Sequence, residues 1–439
     1  MKKLLLASSA LFSLGVVSAQ AADDPISLSL KGTAVENAGY ASNYRMNGSG
    51  VPSPARIDTV AEQDDATISA LGKITLDNDI SVALQGDVYG TASRLTRSTG
   101  GGCGTNKPSI VSSRCASNLA LKRAFMTIAS PVGTLILGDR EDASYLIHNS
   151  APDVSPLARS SGGYFYYWVV APANHRNMTV DNDSRYDDRS NKISYVTPAF
   201  AGLSAAFSYV PKLSSSVGSG SATPATASDY GLFVPGGQVT GADYGGDAYV
   251  GGLYYSESLY GVGVKADSSM LQANTANLRI WQQGVQLMYA GFTLGGSSLV
   301  RDVPGNATLN NLYTDTAAIT LAGAGSSAAT VAQAAVFAGN GYTVGLRYAL
   351  GPYSVSTLFF HDNSKSLAAL NGSGRADSTD FYDVGAAYDM GTAFDGGPRV
   401  TLRAGVGYVS YKGSVANTAA PWANNNDGVA AVTGVKLDF

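Results

Sequence analysis

Apolar and polar residues alternate with a period of two along most of the chain. Between Pro25 and Ala34, large apolar residues share one face and small polar residues or lysine share the other: Ile26, Leu28 and Leu30 against Ser27, Ser29, Lys31 and Thr33. The same alternation runs through Ile80–Tyr89, Tyr260–Asp267, Tyr342–Leu350 and Arg399–Tyr408. Helical spacing fits none of these segments, so the pattern predicts an all-β protein.

The two faces differ from those of a soluble sandwich. The polar faces carry Gly, Ser, Thr and an occasional single charge, whereas a surface facing bulk water is usually rich in Lys and Glu. Aromatic residues stand near the ends of the apolar faces, at Tyr260, Phe292, Tyr342, Tyr348, Tyr353 and Tyr408. Such placement is typical of aromatic girdles at the two membrane interfaces. A bilayer requires every backbone group to be hydrogen-bonded, so the strands are expected to close into a barrel.

The connections between strands alternate between short and long. Short ones lie at 77–79, 130–133, 200–202, 256–259, 290–291, 351–352 and 391–398. Long polar ones lie near 43–62, 95–117, 141–190, 212–245, 302–339, 364–377 and 412–426, with a shorter one at 273–278. The alternation predicts a transmembrane antiparallel β-barrel of about sixteen strands, with short periplasmic turns and long outer loops. A barrel of this size encloses an aqueous lumen.

The amino terminus and the composition restrict the class of protein. Residues 1–21 combine Lys2 and Lys3, an apolar run and an Ala19-Gln20-Ala21 cleavage box, which predicts a signal peptide; an N-terminal membrane anchor is the alternative. Residues 22–439 then form a single domain, because no linker divides them. The chain carries 29 Lys and Arg against 33 Asp and Glu. This acidic balance argues against a nucleic-acid partner.

Candidate chemistry is sparse. Cys103 and Cys115 lie in a Gly- and Ser-rich stretch, and in an exported protein they predict a disulfide, with two free thiols as the alternative. The three histidines, His148, His175 and His361, show no spacing typical of a zinc site or a catalytic triad. We therefore expect no cofactor, no structural metal and no enzyme. The acidic stretch DNDSRYDD at 181–188 allows at most a loosely bound divalent cation on an outer loop.

Two segments resemble the Gram-negative general-diffusion porin family. These are LKRAFMTIASPVGTLILGDRED and, some forty residues later, RSNKISYVTPAFAGLSAAFSYV. The second matches the family's hairpin motif closely, at Asn191, Ile193, Tyr195, Thr197, Pro198, Phe200, Gly202 and Leu203. The first is looser, because Asp139 separates Gly138 from Arg140. The last strand ends on Phe439, which resembles the terminal signature that helps bacterial outer-membrane barrels to assemble.

The resemblance implies a homotrimer in the outer membrane, surrounded by lipid and lipopolysaccharide. It also implies that the third outer loop, about 141–190, folds into the lumen and opposes acidic residues to a basic wall. The acidic side is expected from Glu141, Asp142 and Asp153. The basic side is expected from Lys31, Lys73, Arg123, Arg140, Arg185 and Arg189. The period-two alternation places Lys31, Lys73 and Arg140 on the inner face of the barrel, whereas the face of Arg123 (its parity in the alternation) is ambiguous.

The expected function is passive diffusion of small hydrophilic solutes and ions through a water-filled channel with a charged constriction. The alternative is a substrate-selective channel. An aromatic ladder would indicate sugars, and clustered Arg and Lys would indicate anions such as phosphate. The aromatic run Tyr164–Trp168 either begins such a ladder or packs against the wall. An outer-membrane enzyme and an adhesin are further alternatives that no motif supports.

Overall fold

The chain folds into a barrel of sixteen β-strands. A computed structural model describes residues 26–44, 57–76, 78–91, 118–158, 165–169, 191–211, 247–274, 278–302, 339–365, 376–392, 397–413 and 425–439. The strands are β1 Ile26–Tyr44, β2 Ile57–Thr75, β3 Ser81–Thr91, β4 Asn118–Ser130, β5 Gly133–Asp139, β6 Asn191–Val196, β7 Leu203–Val210, β8 Ala248–Leu259, β9 Val262–Ala273, β10 Leu278–Tyr289, β11 Phe292–Asp302, β12 Gly339–Leu350, β13 Tyr353–Lys365, β14 Ala376–Thr392, β15 Arg399–Lys412 and β16 Asn425–Asp438.

Each strand pairs antiparallel with the next one along the chain, and β16 returns to pair with β1. The closing register runs from Thr33 opposite Asp438 to Ala41 opposite Ala430. The barrel is therefore closed and the predicted sixteen strands are confirmed. Seven short turns lie at one end, called here the short-turn end, and the longer connections lie at the other, the loop end.

The predicted boundary between β8 and β9 was wrong, and β2 begins at Ile57, inside the connection expected near 43–62. Residues 256–259 were expected to form the turn between β8 and β9, with Tyr260 beginning the next strand. Instead β8 continues to Leu259, and Tyr260 and Gly261 form the turn with φ of 52° and 85°. Two-residue hairpin turns of this kind need positive φ at both central positions, because their twist then matches that of the strands. Tyr260 is consequently a fully exposed turn residue rather than part of a strand.

Two belts of aromatic side chains encircle part of the outer face. At the short-turn end, ring centroids lie 4.4 Å apart for Phe292 and Tyr348 and 5.0 Å apart for Tyr353 and Tyr388. At the loop end, Tyr382 lies 4.8 Å from Phe359 and 6.4 Å from Tyr408, and Tyr209 lies 5.1 Å from Tyr249. The belts bracket an apolar band, as in membrane barrels.

Two short helices, α1 Ala143–Ile147 and α2 Phe165–Trp168, follow β5. Within the described residues, no helix has the length and apolar character needed to cross a membrane. Both helices belong to a buried apolar cluster that also contains wall residues such as Leu271 and Phe360. This core lies inside the barrel, so the segment after β5 occupies part of the lumen. We call the described residues 141–158 and 165–169 the inner loop.

Candidate functional site

The inner loop begins at an ion-pair cluster on the wall. Arg123 of β4 forms an ion pair with Glu141, and its other terminal nitrogen lies 3.5 Å from the Asp87 carboxylate on β3. The Gln85 side-chain amide donates to Asp87 over 2.8 Å. Glu141 is 4% exposed and Asp87 is 2% exposed. Removing one partner of such a pair leaves a buried charge uncompensated, so Arg123 fixes the start of the inner loop to the wall.

Arg140 lies beside this cluster, just beyond the end of β5. Its guanidinium carbon lies 4.7 Å from the centroid of the Phe125 ring, in a cation–π arrangement. Its carbonyl oxygen accepts a hydrogen bond from the Lys192 ammonium. Burial, and then repulsion from Arg123, lower the pKa of Arg140 to about 10. Arg140 therefore stays cationic at neutral pH and adds positive charge at the base of the inner loop.

Asp142 caps the first turn of α1. Its carboxylate accepts hydrogen bonds from the backbone N–H groups of Ser144 and Tyr145, at 2.7 and 3.1 Å. These amides have no partner within the helix, so a carboxylate at this position stabilises the turn. The Ala143 amide donates to the Ser208 hydroxyl on β7 over 2.8 Å. Asp142, only 1% exposed, thus shapes the loop rather than presenting its charge to the lumen.

Asp267 on β9 clamps the residues that follow α1. One carboxylate oxygen accepts from the Asn149 backbone amide at 2.7 Å and from its side-chain amide at 2.9 Å. The other lies 3.0 Å from the His148 ring. On the next strand, the Gln282 and Gln286 amides donate to the carbonyl oxygens of Ser144 and Ser150. The wall side chains thereby satisfy the backbone of a segment that makes few hydrogen bonds of its own.

Inward-facing glycines give the inner loop room to lie flush against the wall. We call six of them the glycine track: Gly252, Gly284, Gly345, Gly385, Gly405 and Gly428. A Cβ atom on Gly284 would overlap the Asn149 carbonyl oxygen, and one on Gly405 would overlap the Ser155 hydroxyl. At Gly345 and Gly385 it would lie 2.9 and 2.7 Å from backbone atoms of the loop. The loop therefore follows the wall from β8 to β16 instead of crossing the lumen.

The far end of the inner loop is anchored by aromatic packing. The Phe165 ring stacks on Phe381 of β14 with centroids 4.4 Å apart. The Tyr411 hydroxyl donates to the Val169 carbonyl over 2.9 Å, and Trp168 is 2% exposed. Phe165 and Trp168 therefore pack against the wall. The side chains of Tyr164, Tyr166 and Tyr167 lie outside the described residues.

Comparison with known families identifies this architecture. The family model described as Gram-negative porin matches residues 7–414. The chain belongs to the Gram-negative porin family. This porin is an outer-membrane diffusion channel, and the predicted family is confirmed.

Solved porin structures are similar to this chain at low sequence identity. OmpF of Salmonella typhi, solved as a complex with daunomycin, is 14% identical with a TM-score of 0.51; the match covers 94% of this chain and 97% of that one. The anion-selective porin of Comamonas acidovorans is 13% identical with a TM-score of 0.49, covering 94% and 100%. No curated protein sequence matches the chain. At such identities the likeness concerns the fold alone.

The porin barrel brings the predicted charged residues together only in part. Lys31, Lys73 and Arg123 face the lumen, and a bulge between Asp87 and Val88 explains why the parity of Arg123 was ambiguous. Glu141 and Asp142 lie on the inner loop but are buried in the contacts above. Asp153 is the member of the predicted acidic set that stays half-buried. The assignment of these three carboxylates as constriction charges remains a prediction.

Several other predictions concern residues outside the described part of the porin. These are the signal peptide at 1–21, the Cys103–Cys115 disulfide, Arg185, Arg189 and the acidic stretch 181–188. Among the described residues, no group of three or more His, Cys, Asp or Glu side chains could hold a metal ion. The cofactor and cation predictions stay untested.

Sequence reasoning missed four wall residues that matter to this porin: Asp267, Lys265, Arg347 and Arg403. All four stand on polar faces whose alternation was visible in the sequence, so the signal for their inward direction was available. Their importance depends on lying beneath or against the inner loop, which is a relationship between segments distant in sequence. Alternation within one strand carries no information about that relationship.

Replacing Asp267 with asparagine is expected to loosen the inner loop. The change keeps the shape of the side chain but weakens its hydrogen bonds to the Asn149 amides, and bonds to a charged partner contribute about 1.5–3 kcal/mol each. Chymotrypsin should then cut the inner loop after Tyr145, which is half-buried, several-fold faster in the folded porin. Ser269→Ala, one inward position away on the same strand, serves as the control. Equal cleavage rates in the wild type, Asp267→Asn and Ser269→Ala would contradict the role of Asp267 in holding the inner loop.

Proposed function

We propose that this porin passes small hydrophilic solutes and ions by passive diffusion through a constriction formed by the inner loop. The proposal is supported by one observation above all. The inner loop is anchored inside the barrel at both ends, by Arg123 at its start and by Tyr411 at its far end. A segment fixed in this way narrows the lumen while leaving water between itself and the opposite wall.

Recordings in planar lipid bilayers test the channel proposal. The purified, refolded porin should give stepwise conductance that rises in proportion to bulk salt, because ions cross a wide aqueous lumen in near-bulk water. Swelling of liposomes that contain the porin should be slower for larger sugars. Heat-modifiable migration on gels provides the control for a folded barrel. A folded protein without conductance would overturn the proposal.

A substrate-selective channel is the second candidate, and the described residues favour only its anion form. Phe165 and Trp168, which begin and end α2, are buried against the wall and offer no face to a passing sugar. Basic side chains, in contrast, line the lumen below the inner loop. Current block by added sugars, compared with block by added phosphate, distinguishes the two forms.

We also propose that the porin assembles as a homotrimer after export directed by residues 1–21. Glu36 stands exposed on the outward face of β1, between Leu28 and Leu30 on one side and Tyr40 on the other. A carboxylate facing lipid is unfavourable, whereas a subunit interface would shield it. In the same recordings, a trimer should close in three equal steps. If all the conductance of one inserted particle closed in a single step, that result would contradict this assembly.

The two described histidines support a channel rather than an enzyme. His148 belongs to the inner loop and is held against the wall by Asp267. His361 lies on the outward face of β13, with its ring 2.7 Å from the Asp380 carboxylate. Neither arrangement places an imidazole in the lumen where a solute would meet it.

A further inference from the structure

We propose that this porin prefers small anions, such as chloride, phosphate and short carboxylates, because a basic arc lines its lumen on the periplasmic side of the inner loop. The basic arc consists of Lys265 on β9, Arg347 on β12 and Arg403 on β15. This inference rests on the proposed diffusion function and adds the sign of its selectivity. It also departs from the expected balance between an acidic loop and a basic wall.

The basic arc lies directly below the part of the wall that the inner loop contacts. Three wall residues that contact the inner loop are Asp267, Gly345 and Gly405. Lys265, Arg347 and Arg403 lie on the same strands, each two residues nearer the short-turn end. Residues two apart on a strand share a face, so all three basic side chains point inward just below the loop. They recur on every third strand, and three strand spacings amount to about 14 Å. A solute passing the loop therefore meets positive charge along much of one wall.

The part of the wall that adjoins the β15 end of the arc, at β1 and β2, adds charge of the same sign. Lys31 on β1 and Lys73 on β2 have inward parity and are partly exposed. Two acidic groups face the same half of the lumen and are paired locally. Asp389 accepts from Arg399 over 3.0 Å, and Asp438 lies 2.8 Å from the Lys436 ammonium. Within the described wall of this half, the balance of exposed charge is positive.

The carboxylates at the level of the inner loop do not offset this excess where a solute would meet them. Glu141, Asp142, Asp267 and Asp383 are each less than 9% exposed. Glu141 is paired with Arg123, Asp142 accepts from the α1 amides, and Asp267 accepts from Asn149. Asp383 accepts a hydrogen bond from the Ser155 hydroxyl over 3.0 Å. Asp153 contributes one half-buried negative charge. The acidic side of the constriction is thus mostly occupied in holding the loop, whereas the basic arc, Lys31 and Lys73 stay partly exposed.

Physical principles connect this arrangement to selectivity. Low-dielectric walls focus the field of fixed charges into the lumen, which raises the local concentration of counter-ions. Lysine and arginine side chains favour anions in pores in this way. Bulk salt screens exposed charges over about 8 Å at physiological ionic strength. The anion preference should therefore be strongest in dilute salt and decline as salt is raised.

Reversal potentials in a potassium chloride gradient test the inference. The wild-type porin should be more permeable to chloride than to potassium. The variant K73Q/K265Q/R347Q should lower the chloride-to-potassium permeability ratio at least about twofold, because it removes lumen charge while leaving the barrel contacts in place. These three positions are chosen because none of the ion pairs among the described residues involves them. Lys412→Gln, which removes an exposed lysine from the outward face, should leave the ratio unchanged.

The outcomes separate this inference from the channel proposal. Absence of conductance in the folded wild type would overturn the channel function itself. Conductance with a potassium preference, or an unchanged ratio in the triple variant, would overturn the anion preference and leave the channel intact. Because Arg347 is partly buried and its replacement could impair folding, K73Q/K265Q provides a second variant in which the ratio should shift in the same direction. A shift of equal size in Lys412→Gln would also contradict the basic arc.

Discussion

Replacing Gly284 with valine should lower the single-channel conductance by about a third or more, since the current depends on the free cross-section of the constriction. A Cβ atom at Gly284 would overlap the carbonyl oxygen of Asn149. The wall cannot recede, because β10 is hydrogen-bonded to β9 and β11 along its whole length. The inner loop must therefore move toward the pore axis. Conductance steps in one molar potassium chloride measure the change.

Two neighbouring glycines on β8 sharpen this test. Gly252 faces inward, and its Cβ would lie 2.6 Å from the Ile147 side chain and 2.7 Å from Ser269. Gly251 faces outward, where a Cβ would meet the Phe207 ring at an ordinary contact distance of 3.5 Å. Gly252→Val should narrow the channel, whereas Gly251→Val should not. If both variants lowered conductance equally, the effect would come from the loss of a glycine in the strand and not from displacement of the inner loop.

The glycine track shows where alternation in the sequence stops being informative. Parity alone assigns Gly284 and Gly345 to the inner face of the barrel, together with the serines and threonines around them. Those polar faces correctly indicate an aqueous lumen. They do not indicate that particular glycines are small because a loop backbone rests on them. Asn149 and Gly284 are far apart in sequence, and their contact exists only once the barrel has closed.

The charged residues of the inner loop show a second kind of limit. The sequence places Glu141 and Asp142 on a long loop next to Arg140, and the structure agrees. Both carboxylates are buried, however, because each is bound by neighbouring groups, and neither then faces the lumen. Asp142 precedes a short helix whose first amides need an acceptor, which is a recognisable capping signal. Glu141 lies within reach of Arg123, which faces inward next to the position where the bulge interrupts the alternation of β4.

These contacts change the electrostatics expected of the constriction. A loop carrying three exposed carboxylates would oppose the basic wall and favour cations beside it. Here two of the three, Glu141 and Asp142, are buried with their partners, and Asp153 is half-buried. On the periplasmic side of the inner loop, Lys31, Lys73, Lys265, Arg347 and Arg403 stay partly exposed. The seating of the loop and the sign of the lumen charge are therefore two consequences of the same packing arrangement.

Barrel closure should depend strongly on the contact between Phe439 and Gly32. Each residue donates its backbone N–H to the carbonyl oxygen of the other, at 2.7 and 2.9 Å. The Phe439 ring covers Gly32 so closely that a Cβ atom there would overlap it. Deleting Phe439 removes both hydrogen bonds and the ring at the seam between β1 and β16. We expect the yield of heat-modifiable barrel on refolding into detergent micelles to fall several-fold.

A pair of substitutions distinguishes the ring from the hydrogen bonds. Gly32→Leu alone should reduce the folded yield, because overpacking at such a contact costs about 1–3 kcal/mol. Phe439→Ala alone should reduce it less, since both backbone bonds remain. In the double variant the leucine side chain occupies the space of the missing ring, so its yield should exceed that of Gly32→Leu. Effects that simply add would mean that the two side chains do not interact. Closure would then depend on the backbone pairing of β1 with β16 alone.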